Sequence, residues 1–159
     1  MKTNPIKRSD YIITFSRDHH GGLLFCWKIK QGLKNEIAFD RIDKYVQFFW
    51  EEHLKQHFQE EEELLFNRLQ CRLTDKGRDD HRILTRWFQQ IIENGLNTKK
   101  EYDFFAELLK NHIRFEEREL FPYLETELPV LVLEGIRDSL AKTHEHPFID
   151  NYTDEFWVK

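Results

Sequence analysis

Two thirteen-residue stretches of the chain place an imidazole and a carboxylate at one repeated spacing. The first reads His57-Phe-Gln-Glu-Glu61-Glu-Glu-Leu-Leu65-Phe66-Asn-Arg-Leu69. About fifty residues later comes His112-Ile-Arg-Phe-Glu116-Glu-Arg-Glu-Leu120-Phe121-Pro-Tyr-Leu124. Histidine, the glutamate four residues on, the glutamate after it, the Leu-Phe pair and the closing leucine match at a fixed register, which marks an internal duplication. With eight histidines in the chain, about one His-x-x-x-Glu arises by chance at this composition. Two inside one matching frame do not. On a helix of 3.6 residues per turn, positions i and i+4 lie one above the other on the same face, so each His-Glu pair can reach one cation.

Long helices must carry these pairs, and the apolar periodicity supplies four of them. Residues 10 to 31 place Ile12, Ile13, Phe15, Leu23, Leu24, Cys26, Trp27 and Ile29 in a helical pattern that ends near Gly32. The Gly21-Gly22 pair inside it lowers propensity by roughly 1 kcal/mol per glycine and points to close approach of a neighbouring helix. After a linker over 34–39, Asp40 is the expected cap of a second helix, whose stripe runs Val46, Trp50, Leu54, His57, Glu61 and Leu65. Thr74 or Asp75 opens a third, with His81, Leu84, Phe88 and Ile91 on one side and Asn94-Gly95 closing it as an αL cap. Thr98 caps a fourth, whose inward face reads Tyr102, Phe105, Leu109, His112, Glu116 and Leu120. In both repeat helices the polar pair interrupts a greasy seam.

Pro129 reads as the first-turn proline of a shorter helix reaching about Lys142, followed by an irregular tail folded back on the bundle. No segment alternates with the two-residue period of a strand. The expected fold is therefore all-α: an up-down antiparallel four-helix bundle over about 10–125, with a short additional C-terminal helix and tail over 126–159, in a single domain 1–159.

Composition narrows the function. A chain of 159 residues with four Trp, fourteen Phe and five Tyr can fill a real core, and the usual domain size leaves little room for a second one. The net charge of −5 and the lack of a Lys/Arg-rich block exclude a general nucleic-acid surface, which needs a basic patch. The first ten residues lack the apolar core of a signal peptide, and no run approaches the roughly eighteen apolar residues of a membrane span. A cytoplasmic protein is the expectation. Cys26 and Cys71 stand far apart and outside any Cys-x-x-Cys, so both read as reduced thiols.

Burying an imidazole or a carboxylate without a partner costs several kcal/mol. Two glutamates and four histidines on inward faces therefore need a common partner, which a metal centre supplies most simply. Imidazole and carboxylate without thiolate suit iron, manganese or zinc, and two carboxylates able to bridge suit a pair of ions. Ferritin-like di-iron bundles use Glu-x-x-His instead, and no histidine here has a glutamate three residues before it.

One histidine near the N-terminus, His-x-x-x-Glu-Glu with a following Leu-Phe, a lone Asp-His in the third helix, and a second His-x-x-x-Glu-Glu leading into Leu-Phe-Pro resemble the hemerythrin-like (HHE cation-binding) family over about residues 10–125. The resemblance implies two non-haem iron ions, oxo- or hydroxo-bridged, that bind or respond to dioxygen. By position, His57, His81 and His112 would be terminal ligands, while Glu61 and Glu116 would bridge. For the first helix, His20 has leucines three and four residues on, as the family's first histidine usually has apolar residues there. His19 follows Asp18 as His81 follows Asp80, and lies in line with Ile12, Phe15, Leu23 and Cys26. His20 is the expected ligand and His19 the alternative.

The oxygen-carrying hemerythrins place a second histidine one turn after the third-helix ligand, where this chain has Thr85. One nitrogen ligand fewer turns the expectation from reversible oxygen carriage toward sensing, peroxide or nitric oxide chemistry, or iron handling. The other reading is a regulatory or interaction bundle locked by a structural zinc or iron, with manganese also compatible.

Several further residues have plainer readings. His53, one turn before His57, reads as a surface residue ahead of a support for a ligand or an extra ligand, and the run Glu60 to Glu63 as a solvated face on which only Glu61 has the register. Glu117 reads as exposed or as a neighbour of a ligand. His144 and His146 can bind a stray metal, but nothing in the sequence fixes their direction. Phe48, Phe49, Trp50, Phe104 and Phe105 read as core.

Overall fold

Helix is the only regular structure in the computed structural model of the chain, which describes residues 9–159. The first eight residues, part of the stretch read above for the lack of a signal peptide, lie outside the described residues. Helix α1 is Ile13–Lys34. Helix α2 covers 39–68 as one continuous run: an α segment Phe39–Phe49, a wider π turn Trp50–Leu54, an α segment Lys55–Glu60, a second π turn Glu61–Leu65 and a 3-10 turn Phe66–Arg68. Helix α3 is Arg72–Asn94. Helix α4 covers 99–127, with Lys99–Phe115, a π turn Glu116–Leu120 and Phe121–Glu127. Helix α5 is Val130–Thr143.

The helix ends follow local chemistry, with some shifts from expectation. Thr98 caps α4 by accepting the Glu101 N–H at 3.2 Å. Asp40 is not the cap of α2; it lies in the first turn, where its charge faces the positive end of the helix. Helix α3 begins before Thr74, because the Thr74 hydroxyl serves one turn inside it, accepting the Cys71 N–H at 3.1 Å. Gly95 ends α3 with φ 70° but ψ −175°, so its backbone is left-handed without being an αL cap. Pro129 sits one place earlier than expected, at the N-cap of α5.

Helices α1 and α4 run antiparallel, since Ser9 meets Glu125, His19 meets Glu117 and Lys30 meets Glu107. Gly22 permits that approach: a Cβ there would stand 2.7 Å from Ile113 Cδ1. Helices α2 and α3 pair in the same sense, with Trp50 on Phe88, Glu61 on His81 and Phe66 against Gly77. Helix α1 continues past Gly32 to Lys34, and the notch at Gly32 receives Phe156 from the C-terminal tail. That tail lies back on the bundle as expected. Asp150 accepts hydrogen bonds from Lys28 and Tyr45, and Asp154 pairs with Arg41.

Two apolar clusters fill the interior. One gathers Phe25, Tyr45, Phe49, Phe88 and Phe105; the other gathers Phe15, Leu65, Phe66, Leu120 and Phe121. Phe104, expected in the core, is instead 54% exposed. Between the two clusters, at mid-height of all four long helices, lies a polar layer. Among the described residues no helix is long and apolar enough to cross a membrane, and both cysteines are free thiols.

Candidate metal centre

The polar layer is made of His19, His57, Glu61, His81, His112 and Glu116, each at most 4% exposed. Their imidazole Nε2 atoms point at the two carboxylates. His57 Nε2 and His81 Nε2 each lie 3.1 Å from Glu61 Oε1. His19 Nε2 lies 3.4 Å from Glu61 Oε2 and 3.8 Å from Glu116 Oε2. His81 Nε2 is also 3.7 Å from Glu116 Oε1, which His112 Nε2 contacts directly.

The first-helix position is a correction. His20, the expected residue, is exposed and contributes nothing to this layer. His19 does, because it shares the buried stripe of α1 with Phe15, Gly22 and Cys26, and one further residue turns a helix by about 100°.

Carboxylates stand at the outer nitrogens as well, three of them within hydrogen-bond reach and the fourth, His81 Nδ1, without a hydrogen bond. His57 Nδ1 meets Asp18 and His112 Nδ1 meets Asp80, both at 3.0 Å. His19 Nδ1 meets Glu117 at 2.7 Å, and His81 Nδ1 approaches Glu62 at 3.4 Å. The duplication thus extends to the supports. In each half the aspartate before the lone histidine holds the repeat histidine of its own half, and the second glutamate of the repeat reaches the lone histidine of the other half. The repeat phenylalanines follow the same rule: Phe66 lies against His81 with ring centroids 5.3 Å apart, and Phe121 stacks on His19 at 5.2 Å. A carboxylate on Nδ1 fixes the tautomer and leaves Nε2 as the inward donor.

Each repeat glutamate begins a π turn, Glu61–Leu65 and Glu116–Leu120, the kind of local widening that recurs at functional sites. Apolar periodicity carries no sign of these turns. The supporting carboxylates had a signal, since the Asp-His and Glu-Glu pairs recur in both halves.

Electrostatics follow from this packing. Burial alone would lower the pKa of His19, but the hydrogen bond to Glu117 and the two central carboxylates outweigh it and hold it at about 9. Burial likewise opposes the charge on His57, yet Glu61 and Asp18 raise its pKa to about 10. His81 and His112 are raised for the same reasons. Burial works against the Glu61 carboxylate as well, but His57 and its neighbours hold its pKa well below the ordinary range. A site that raises the basicity of its imidazoles and keeps the Glu61 carboxylate ionised is an electron-pair-rich pocket suited to cations.

Hydrogen bonding inside the layer is incomplete. His19 Nε2, His112 Nε2, Glu61 Oε2 and both oxygens of Glu116 are buried without a hydrogen-bond partner. Buried polar atoms are rarely left so, and these face one another. The donor atoms fall into two groups, each within 4.8 Å: Glu61, His81, His112 and Glu116, and His19, His57 and Glu61. Glu61 belongs to both. Four imidazoles and two carboxylates without thiolate match iron, manganese or zinc, so the residues present fit a metal centre.

Other residues lie where the sequence did not place them. His53, read as a surface residue, is 8% exposed, and Phe148 of the tail stacks on it at 4.5 Å. Burial depresses its pKa to about 4, which keeps the ring neutral. Glu60, read as solvated, is also 8% exposed, and its Oε2 contacts His144 Nε2 at 2.6 Å. Thr85 donates its hydroxyl to the His81 carbonyl at 2.6 Å and so turns away from the centre.

No curated protein and no solved structure matches the chain. The family model of the hemerythrin HHE cation binding domain matches residues 15–124, which spans both repeats and all six central residues, and the chain belongs to that family.

Proposed function

We propose that the chain is a cytoplasmic, non-haem di-iron protein that binds or senses dioxygen, or nitric oxide or peroxide in its place, within an up-down four-helix bundle. The observation that carries this reading is the pair of donor groups that share Glu61, lined by buried oxygens and nitrogens without partners. His19 and His57 would hold one ion, His81 and His112 the other, with Glu61 and Glu116 between them. Two iron ions there would supply reversible redox chemistry and an open position for a small ligand.

The chain's own residues prepare that site. Asp18, Asp80 and Glu117 orient the rings through Nδ1, and Phe66 and Phe121 keep water from two of them. Thr85 brings no donor, which leaves the third-helix side with fewer nitrogen ligands than an oxygen carrier has and favours sensing or ligand chemistry over carriage.

Metal analysis of the purified protein, joined to spectra recorded first without and then with air, tests the reading. About two irons per chain, with near-ultraviolet and visible bands that change on oxygenation or reduction, is the expected result. Stoichiometric zinc or manganese, no redox response and a large loss of melting temperature on chelation would replace it with a structural metal in a regulatory bundle.

A further inference from the structure

A polar cavity of about 100 Å³ lies outside the centre, between α2 and the start of the C-terminal tail. Asp18, Glu52, His53, Glu60, His144 and His146 supply its titratable lining together with the outer side of His57, and neither Lys nor Arg lines it. Such a lining repels anions and attracts cations. Its imidazoles and carboxylates are the donors that divalent first-row metals take.

The duplication provides an internal control. A cavity of about 120 Å³ occupies the related place in the other half, beside Asp80 and His112. There the residue one turn before the repeat histidine is Leu108, where this half has His53, and Ile83 and Leu84 make the walls apolar. Lys76 also lines that second cavity and pairs with Asp80 at 3.0 Å. The fold alone therefore leaves a pocket in each half beside its repeat histidine, and only one of them is furnished with further histidines. Its two outer histidines come from beyond residue 124, outside the stretch that matches the family.

We propose that this cavity is a separate binding site for a divalent first-row cation, with His53, Glu60 and His144 as its donors. His144 and Glu60 already touch at 2.6 Å. Only the two central groups already bring three such donor atoms within 4.8 Å of one another among the described residues, so an ion seated between Glu60 and His144 has to draw the tail toward His53. Phe148, stacked on His53, makes the tail part of the site. This third position goes beyond the dinuclear centre and stands without it.

Titration of the metal-free full chain with Co²⁺ under excess Mg²⁺, followed by calorimetry and visible absorption, tests the inference. The variants are H144A and H53L, the latter installing the residue of the related cavity, with H81A/H112A directed at the centre. Circular dichroism and melting curves establish that each variant is folded. The expected result is one Co²⁺ equivalent that is weakened at least tenfold in both H53L and H144A and retained in H81A/H112A, with slower proteolysis of the tail when it is bound. Equal uptake by wild type, H53L and H144A overturns the proposal, as does an extra equivalent that Mg²⁺ displaces, since that is binding by carboxylates alone. Failure of the dinuclear reading registers separately, as unchanged uptake in H81A/H112A.

Discussion

Asp18 holds the His57 imidazole through Nδ1 at 3.0 Å, and burial, which would raise its carboxyl pKa, is overcome by that histidine so that it stays ionised. Replacing it by asparagine keeps an acceptor but removes the charge that makes the ring a stronger donor. Loss of such a support typically weakens metal binding about 10- to 100-fold. Chelator competition on D18N should show that loss, and a change below about twofold would mean that Asp18 does not support the ring. H20A should bind metal as wild type does, because His20 is exposed. The repeat made most of the central residues legible from sequence, for a duplicated frame constrains His57, Glu61, His112 and Glu116 together. It could not choose between His19 and His20. Gly21 and Gly22, which follow them, carry no side chain and erase the apolar signal that would have fixed the rotation of α1.

At the level of whole elements, the π turns explain what stripe-reading could not see. From His57 to Phe66 is nine residues, about two and a half turns of regular helix, which would put the two on opposite faces. Both are buried, His57 at 3% and Phe66 at 0% exposure, because the π turn Glu61–Leu65 winds more widely. The π turn already takes up one extra residue, so an alanine inserted after the exposed Glu63 should turn Phe66 by about a further 100° and swing it off His81. The expected loss is at least about 3 kcal/mol, comparable to truncating a buried phenylalanine, together with metal retention, whereas E63A should be silent. Urea melts and metal content of the two variants check this, and equal behaviour would mean that the π turn has no such role. Glycines in α1 and α3 give a second pair. A Cβ on Gly21 meets nothing within 4 Å, while one on Gly77 would stand 2.9 Å from the Phe66 ring and 3.3 Å from Leu120. G21A should gain up to about 1 kcal/mol from helix propensity. G77A should lose about 1–3 kcal/mol through overpacking, and matching melting shifts for the two would refute the contrast.

For the molecule as a whole, the centre links stability to pH and to metal. The tail was legible only as irregular chain, because its anchors are single long-range contacts: Asp150 on Lys28, and Phe156 in the notch at Gly32. The charge layer, by contrast, sets a pH profile that follows from its geometry. In protein stripped of metal, four imidazoles have pKa values raised above the ordinary 6.5, to about 9 for His19 and about 10 for His57. Their contribution is complete below pH 6.5 and is lost as pH climbs through those raised values. Glu61 is held below its ordinary 4.5, so its contribution is present above that pH and is lost as the medium becomes more acidic. His53 works in the opposite sense to the other histidines, since burial keeps it neutral down to about 4 and it loses stability below 6.5. One imidazole against four leaves the optimum of the stripped protein between 4.5 and 6.5. Its urea midpoint should therefore fall from about pH 6 to about pH 10. Metal needs those nitrogens unprotonated, so binding releases protons and strengthens with pH, and the loaded protein should have its optimum at higher pH. A midpoint of stripped protein that stays level or rises over that range would show that the buried imidazoles are not charged by the carboxylates around them.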